Sequence, residues 1–244
     1  MASGLPILTY HSFAPVRGPL ATELDWFRHT LDSLVEAGYQ CVDLSEWVGR
    51  GRPPLQRAFA LTFDDGLASI EPALAEVVAR RLSASVFLVT GWMGRRNDWP
   101  GQPSWVRPEP ILSWNDARGW SRLGIRFHAH TIDHPRLDRI DRIALADQLY
   151  RSGKTVENEL GRACPLFAYP YGCANQASIE IASHHYFAAF LTGDRVARSE
   201  HGAWSIPRVD SHDLRTPGSL RTLLQERLDR RLSVRRLARS LRRW

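Results

Sequence analysis

Short apolar runs alternate with longer stretches of helical periodicity along this chain. LPILTYH (5–11), AFALTF (58–63), SVFLVT (85–90), IRFHAH (125–130), PLFAY (165–169) and FAAFLT (187–192) have strand length and are bounded by polar or turn residues. Between them the pattern predicts helices. One runs from a Thr22 cap to about Ala37 and is closed by Gly38; another fills the stretch between the second and third runs. Others cover 113–122, Arg139 to Leu160 and about 176–185. Strand and helix in alternation predict an α/β domain with a mainly parallel, barrel-like sheet.

Length and composition narrow the class. The chain has 244 residues, 43% hydrophobic and 24% charged, as expected of a globular domain with a buried core. No apolar run reaches the roughly 18 residues of a membrane span. MASGLPILTYHSF shows no basic segment followed by an apolar one, so a cytoplasmic protein is expected. Cys41, Cys164 and Cys173 are too few and too irregularly spaced for a disulfide framework, and are expected to be reduced thiols.

Charge divides the chain in two. Residues 220–244 hold nine arginines against Glu226 and Asp229, more than the whole chain's net charge of +6, so the remainder is near neutral. Leu220, Leu224, Leu228 and Leu232 recur every four residues, and Val234, Leu237, Leu241 and Trp244 continue the stripe after Ser233. The expected organisation is one catalytic domain over 1–219 and a basic amphipathic helical tail over 220–244. That tail either packs on the domain with a solvated arginine face or touches anionic lipid at the inner face of the membrane. A nucleic-acid partner is not supported, because the excess of arginine is confined to this segment.

Four segments carry chemistry. LTFDDG (61–66) places Asp64 and Asp65 at the end of an expected strand, where active-site groups gather in α/β folds. Two adjacent carboxylates can divide labour between binding a cation and acting as a base. HAHTIDH (128–134) supplies His130 and His134 at a spacing that can direct two imidazoles to one cation, and spacing leaves His128 open as well. Together they describe three protein ligands with an open position, the pattern of a catalytic metal site. In FAYPYG (167–172) a turn can present the Tyr171 N–H as an oxyanion donor. The irregular stretch 91–110 holds Trp92, Trp99 and Trp105; exposed, they would stack on sugar rings, and buried, they would pin the loop.

TFDDG, HTxxH and the PYG turn, in this order, resemble the polysaccharide deacetylases, the NodB-homology group. The likeness runs from YH near the N-terminus to IPR at 206–208. The resemblance implies a deformed (β/α) barrel, a divalent metal (usually zinc, with cobalt or nickel able to serve) and removal of N-acetyl groups from amino sugars. Carried over by motif, Asp64 is the general base, and Asp65, His130 and His134 are the metal ligands. The chain also departs from the commoner pattern. Ala168 stands where many members have an arginine that orients the base, and the downstream DxxDW and LxHD motifs are absent. PILTYH and WSIPRVD are instead similar to the branch with biofilm poly-N-acetylglucosamine deacetylases. That likeness implies His11 as general acid and Arg208 as the residue that holds Asp64.

Three rival readings differ in class. A magnesium-dependent phosphohydrolase would use the Asp pair but leaves His130 and His134 without a role. A silent glycan-binding module has no need of Asp64. A metal-dependent amidase or deformylase on a non-sugar substrate shares the same machinery. The expected substrate is an N-acetylated amino sugar in an oligosaccharide or in a nucleotide- or lipid-linked precursor.

Overall fold

The computed structural model describes residues 4–15, 18, 20–193, 195–225 and 228. The six apolar runs form six strands: β1 (Ile7–Tyr10), β3 (Ala58–Phe63), β4 (Ala84–Leu88), β5 (Arg126–Ala129), β6 (Leu166–Ala168) and β7 (Ala188–Phe190). Two short strands join them, β2 (Gln40–Cys41) on the start of β3, and β8 (Val209–Asp210) on β1. All pairings are parallel, in the order β7-β6-β5-β4-β3-β1-β8.

These strands are apolar throughout because both faces of the sheet are covered. On the inner face Ile7, Ala60, Phe87, Ala168, Ala188 and Phe190 meet in one cluster. On the outer face Leu8, Phe59, Leu61, Val86, Leu88 and Phe127 pack beneath the helices. Inner positions are often alanine, which lets the sheet curl tightly on itself. Closure comes from the chain ahead of β8: Leu191 N–H donates to Ile206 O at 2.9 Å, and Ile206 N–H donates to Ala189 O at 3.0 Å. Residues 206–210 thus bridge β7 and β1, completing a deformed (β/α) barrel.

Helices α1 (Leu24–Glu36), α2 (Leu44–Gly49), α3 (Glu71–Ala79), α4 (Trp114–Arg122), α5 (Arg142–Leu160), α6 (Gln176–His185) and α7 (Pro217–Leu224) surround the sheet. Two expected boundaries move. Thr22 is not the cap of α1: Glu23 holds that position without a side-chain bond, and the Thr22 hydroxyl pairs with Ser211 at 3.2 Å. The long helix begins at Arg142 instead of Arg139, because the Asp141 carboxylate caps the Ile143 and Ala144 N–H groups. Leu220 and Leu228 are buried and Leu224 is half-buried, so the leucine stripe faces inward over its first turns. The expected boundary between 219 and 220 falls within α7. Residues 229–244, with most of the expected basic tail and its membrane contact, lie outside the described residues. Among the described residues no helix is long and apolar enough to cross a membrane.

Candidate active site

The site lies at the carboxyl ends of the strands, where each chain segment leaves the sheet. Phe63 ends β3, the Asp64 N–H still donates to Tyr10 O at 2.9 Å, and the backbone then turns left-handed at Asp65 (φ 68°) and Gly66 (φ 69°). A Cβ on Gly66 would stand 2.7 Å from Leu88 Cδ2 and would sit on left-handed backbone, so this turn disfavours a side chain. The turn gives the neighbouring carboxylates different partners. Asp64 faces Arg208, which donates through Nη1 at 2.7 Å and Nη2 at 2.6 Å, a bidentate pair with both side chains buried.

The pair is braced on every side. Arg208 Nε donates to Leu191 O at 3.1 Å, Nη1 also reaches Thr62 Oγ1 at 3.3 Å, and the guanidinium lies 5.3 Å over the Phe87 ring. Burial alone would push the Asp64 carboxyl up; the charges of Arg208 and His130, with the Arg208 hydrogen bonds, outweigh it and hold Asp64 below the usual carboxylate range. His11, just past the end of β1, places Nε2 3.9 Å from Asp64 Oδ2 and keeps 13% of its side chain exposed. A buried carboxylate and a partly exposed imidazole thus meet at the mouth of the barrel.

Asp65 turns toward two histidines. Its Oδ1 lies 3.4 Å from His130 Nε2 and 3.2 Å from His134 Nε2, and the three atoms fall within 4.8 Å of one another. Thr131 (φ 72°) and His134 (φ 56°) are also left-handed, and His134 N–H donates to Thr131 Oγ1 at 3.0 Å. His130 Nδ1 lies 2.7 Å from the Ala168 carbonyl. A carbonyl can only accept, so Nδ1 donates the bond and Nε2 is left facing Asp65. A cation held between them would draw on all three ligand atoms at once. Asp65 Oδ1 has no hydrogen-bond partner. The donor set of one carboxylate and two imidazoles, oriented by a backbone carbonyl behind one of them, fits a zinc-type cation.

His128 does not join this cluster. It lies two residues earlier on the same face, one layer down inside the barrel, against Phe87 and 3.3 Å from Ser45 Oγ. Burial there lowers its pKa to about 3.

The PYG turn closes the opposite wall. Tyr171 is left-handed (φ 58°), and a Cβ on Gly172 would meet the Thr192 backbone nitrogen at 2.6 Å. Gly172 N–H donates to Tyr169 O and Cys173 N–H to Pro170 O; the Tyr171 N–H takes part in neither bond. The Tyr171 ring stands edge-on to His134 at 4.6 Å. Asp65, Thr131, His134 and Tyr171 are four of the seven non-glycine residues with left-handed backbone among the described residues, a concentration of local strain at one place.

Several contributors are not visible as motifs. Trp99 is buried with its ring 4.4 Å from that of His134, so it pins the loop as a wall of the site. Trp92 is half-buried beside it, and Trp105 is 60% exposed. The Ala168 and Leu191 carbonyls orient His130 and Arg208. Backbone acceptors carry no residue signature, so only the fold reveals them.

Comparison with known proteins agrees with this geometry. A family model described as polysaccharide deacetylase matches residues 51–190. Curated protein sequences give no match. Among solved structures, the chain is similar to the Streptococcus pyogenes deacetylase PplD in complex with acetate, at TM-score 0.77 and 21% identity, covering 93% of this chain and 99% of that one. It is similar to IcaB from Ammonifex degensii at TM-score 0.76 and 25% identity, with 93% and 97% covered. The deacetylase domain of BpsB from Bordetella bronchiseptica follows at TM-score 0.67 and 18% identity, with 86% and 96% covered. These likenesses cover more of the chain than the family match, which begins after His11 and ends before Arg208. Since that match takes in more than half of the chain, including Asp64, Asp65, His130, His134 and the PYG turn, the chain belongs to the polysaccharide deacetylase family.

Proposed function

We propose that this protein hydrolyses the N-acetyl group of an amino sugar in a glycan or glycan precursor, with Asp65, His130 and His134 holding a divalent cation, zinc first among the candidates. The observation that carries this reading is the pairing of functions across one mouth. A buried carboxylate fixed by Arg208 faces a histidine at 3.9 Å, beside three converging ligand atoms. When bound, the cation supplies Lewis-acid polarisation of the amide carbonyl and lowers the pKa of a coordinated water.

Asp64 takes a proton from the attacking water; its depressed pKa keeps it ionised and its bond to Arg208 fixes its direction. The Tyr171 N–H donates to the carbonyl oxygen as negative charge develops there. His11 then gives a proton to the amide nitrogen, so that the C–N bond breaks to acetic acid and a neutral amine; the acid ionises on release, and the proton taken up by Asp64 balances the one His11 gave. Trp99 and Tyr171 enclose His134 and limit water access to that side.

The test is acetate release from a panel of N-acetylated sugars and oligosaccharides, with protein as purified, after chelation, and after zinc or cobalt is restored. Release that is lost on chelation and restored by metal supports the proposal. Bound metal without release from any amino sugar points to another amide substrate, and no bound metal removes the basis of the site.

A further inference from the structure

We propose that Glu109 is a positioning residue for His11. Glu109 stands at the exit of the 91–110 loop, and backbone bonds hold it from two sides. Asn97 N–H donates to Glu109 O at 3.0 Å, and Glu109 N–H donates to Asn97 Oδ1. Next to it, Pro110 O accepts from Ala68 N–H at 2.8 Å and Ile111 N–H donates to Arg95 O at 2.8 Å. Asn97 itself is fully buried. The carboxylate is therefore a fixed object, not a mobile surface side chain.

Its two oxygens accept one hydroxyl each. Ser12, immediately after His11, donates to Oε1 at 2.7 Å, and Ser69, past the Asp64–Asp65–Gly66 turn, donates to Oε2 at 2.7 Å. With their protons committed to Glu109, both hydroxyls can only accept elsewhere. Ser12 Oγ accepts from Ala14 N–H at 3.1 Å, and Ser69 Oγ accepts from Phe13 N–H at 3.2 Å. One carboxylate thus orients two hydroxyls, which capture consecutive N–H groups of the loop that carries His11. The same loop is tied at Ser12 by its backbone, through Ser12 N–H to Leu20 O and Thr22 N–H to Ser12 O. Glu109 links this loop to the segment that follows the Asp64–Asp65 turn, and so holds His11 relative to Asp64. The loop ending at Glu109 also carries Trp99 against His134, so a single excursion braces both sides of the mouth.

This inference rests on His11 as the proton donor, and the experiment separates the two. Amide cleavage needs a proton on the departing nitrogen; 4-nitrophenyl acetate breaks a C–O bond whose phenolate leaves with its electron pair unprotonated. The zinc-loaded wild-type protein and its variants are compared for acetate release from a short N-acetylglucosamine oligomer and for 4-nitrophenyl acetate hydrolysis. His11→Ala should lower amide kcat by about 10²–10⁴-fold and ester kcat by much less. Glu109→Ala should lower amide kcat about tenfold or more with little change in KM, and should lower the amide-to-ester ratio in the same direction. Glu109→Gln, which keeps one acceptor, should fall between Glu109→Ala and the wild type.

A second readout is independent of turnover: the Phe13 and Ala14 amides should exchange with solvent faster in Glu109→Ala while β-strand amides do not. If Glu109→Ala does not fold, Ser12→Ala carries the same ratio test. A ratio unchanged in Glu109→Ala, or unchanged exchange at Phe13 and Ala14, overturns the role of Glu109 while His11 stands. A ratio unchanged in His11→Ala overturns the reading of His11, and the role of Glu109 falls with it.

Discussion

Replacing Arg208 by methionine removes the cation that holds Asp64 and leaves a buried carboxylate without its bidentate partner. Two charge-assisted hydrogen bonds disappear, at 2.7 and 2.6 Å, each contributing about 1.5–3 kcal/mol. Breaking a buried pair from one side costs about 3–5 kcal/mol. A second route limits this cost, because Asp64 can escape by binding a proton. At pH 7, protonating a carboxyl of ordinary pKa near 3.9 takes about 4 kcal/mol, at roughly 1.4 kcal/mol per pH unit. The expected loss is therefore about 3–4 kcal/mol near neutrality.

The pH dependence follows from the signs. In the wild type the folded pKa of Asp64 is depressed, so its contribution is present above the unfolded pKa and is lost as pH falls through the folded value. In Arg208→Met the largest cause opposing burial is gone, so the pKa rises and acidification relieves the variant. The stability gap should be widest near pH 7 and shrink toward pH 4. Urea unfolding followed by tryptophan fluorescence, in chelator so that metal linkage does not intrude, measures it. The double variant Arg208→Met/Asp64→Asn removes both charges and should recover at least about 2 kcal/mol relative to the sum of the single losses. Additivity within about 0.5 kcal/mol, or a gap that widens on acidification, would refute the reasoning.

Asp65→Ala should lose bound metal and activity together, whereas Asp64→Asn should retain metal and lose turnover; metal content by emission spectroscopy beside acetate release distinguishes them. Gly172→Ala should destabilise by more than about 1 kcal/mol, since the left-handed backbone and the 2.6 Å approach to Thr192 both oppose a Cβ; a midpoint shift in urea checks it. His128, with a folded pKa near 3 against an ordinary value near 6.5, binds a proton only when the chain unfolds over that interval. Stability should therefore fall with decreasing pH below about 6.5. Replacing His128 with leucine should lower that slope by about one proton, or about 1.4 kcal/mol per pH unit; an unchanged slope from urea midpoints at several pH values would exclude it.

Local rules carried much of this protein. Six continuous apolar runs are six strands, since a parallel sheet buried on both faces needs no polar alternation. The Ser113 and Asn175 capping boxes mark the starts of α4 and α6 as the polar residues ahead of each helix suggest. Asp64, Asp65, His130, His134 and Tyr171 are legible because strand ends gather reactive groups within short motifs.

The tertiary structure decided what local rules cannot carry. The β2, α2 and β8 elements are too short for periodicity to register, at two, six and two residues. Arg208 meets Asp64 across 144 positions because the chain ahead of β8 crosses the gap between β7 and β1. His128 and His130 share a face and differ by one barrel layer, so only the fold tells a buried neutral imidazole from a candidate ligand. Trp99 and Trp105 stand in one loop, yet one packs on His134 and the other faces solvent. Spacing along a chain specifies which residue types can meet on one strand or turn; the burial and closure that bring distant segments together are properties of the whole packed barrel.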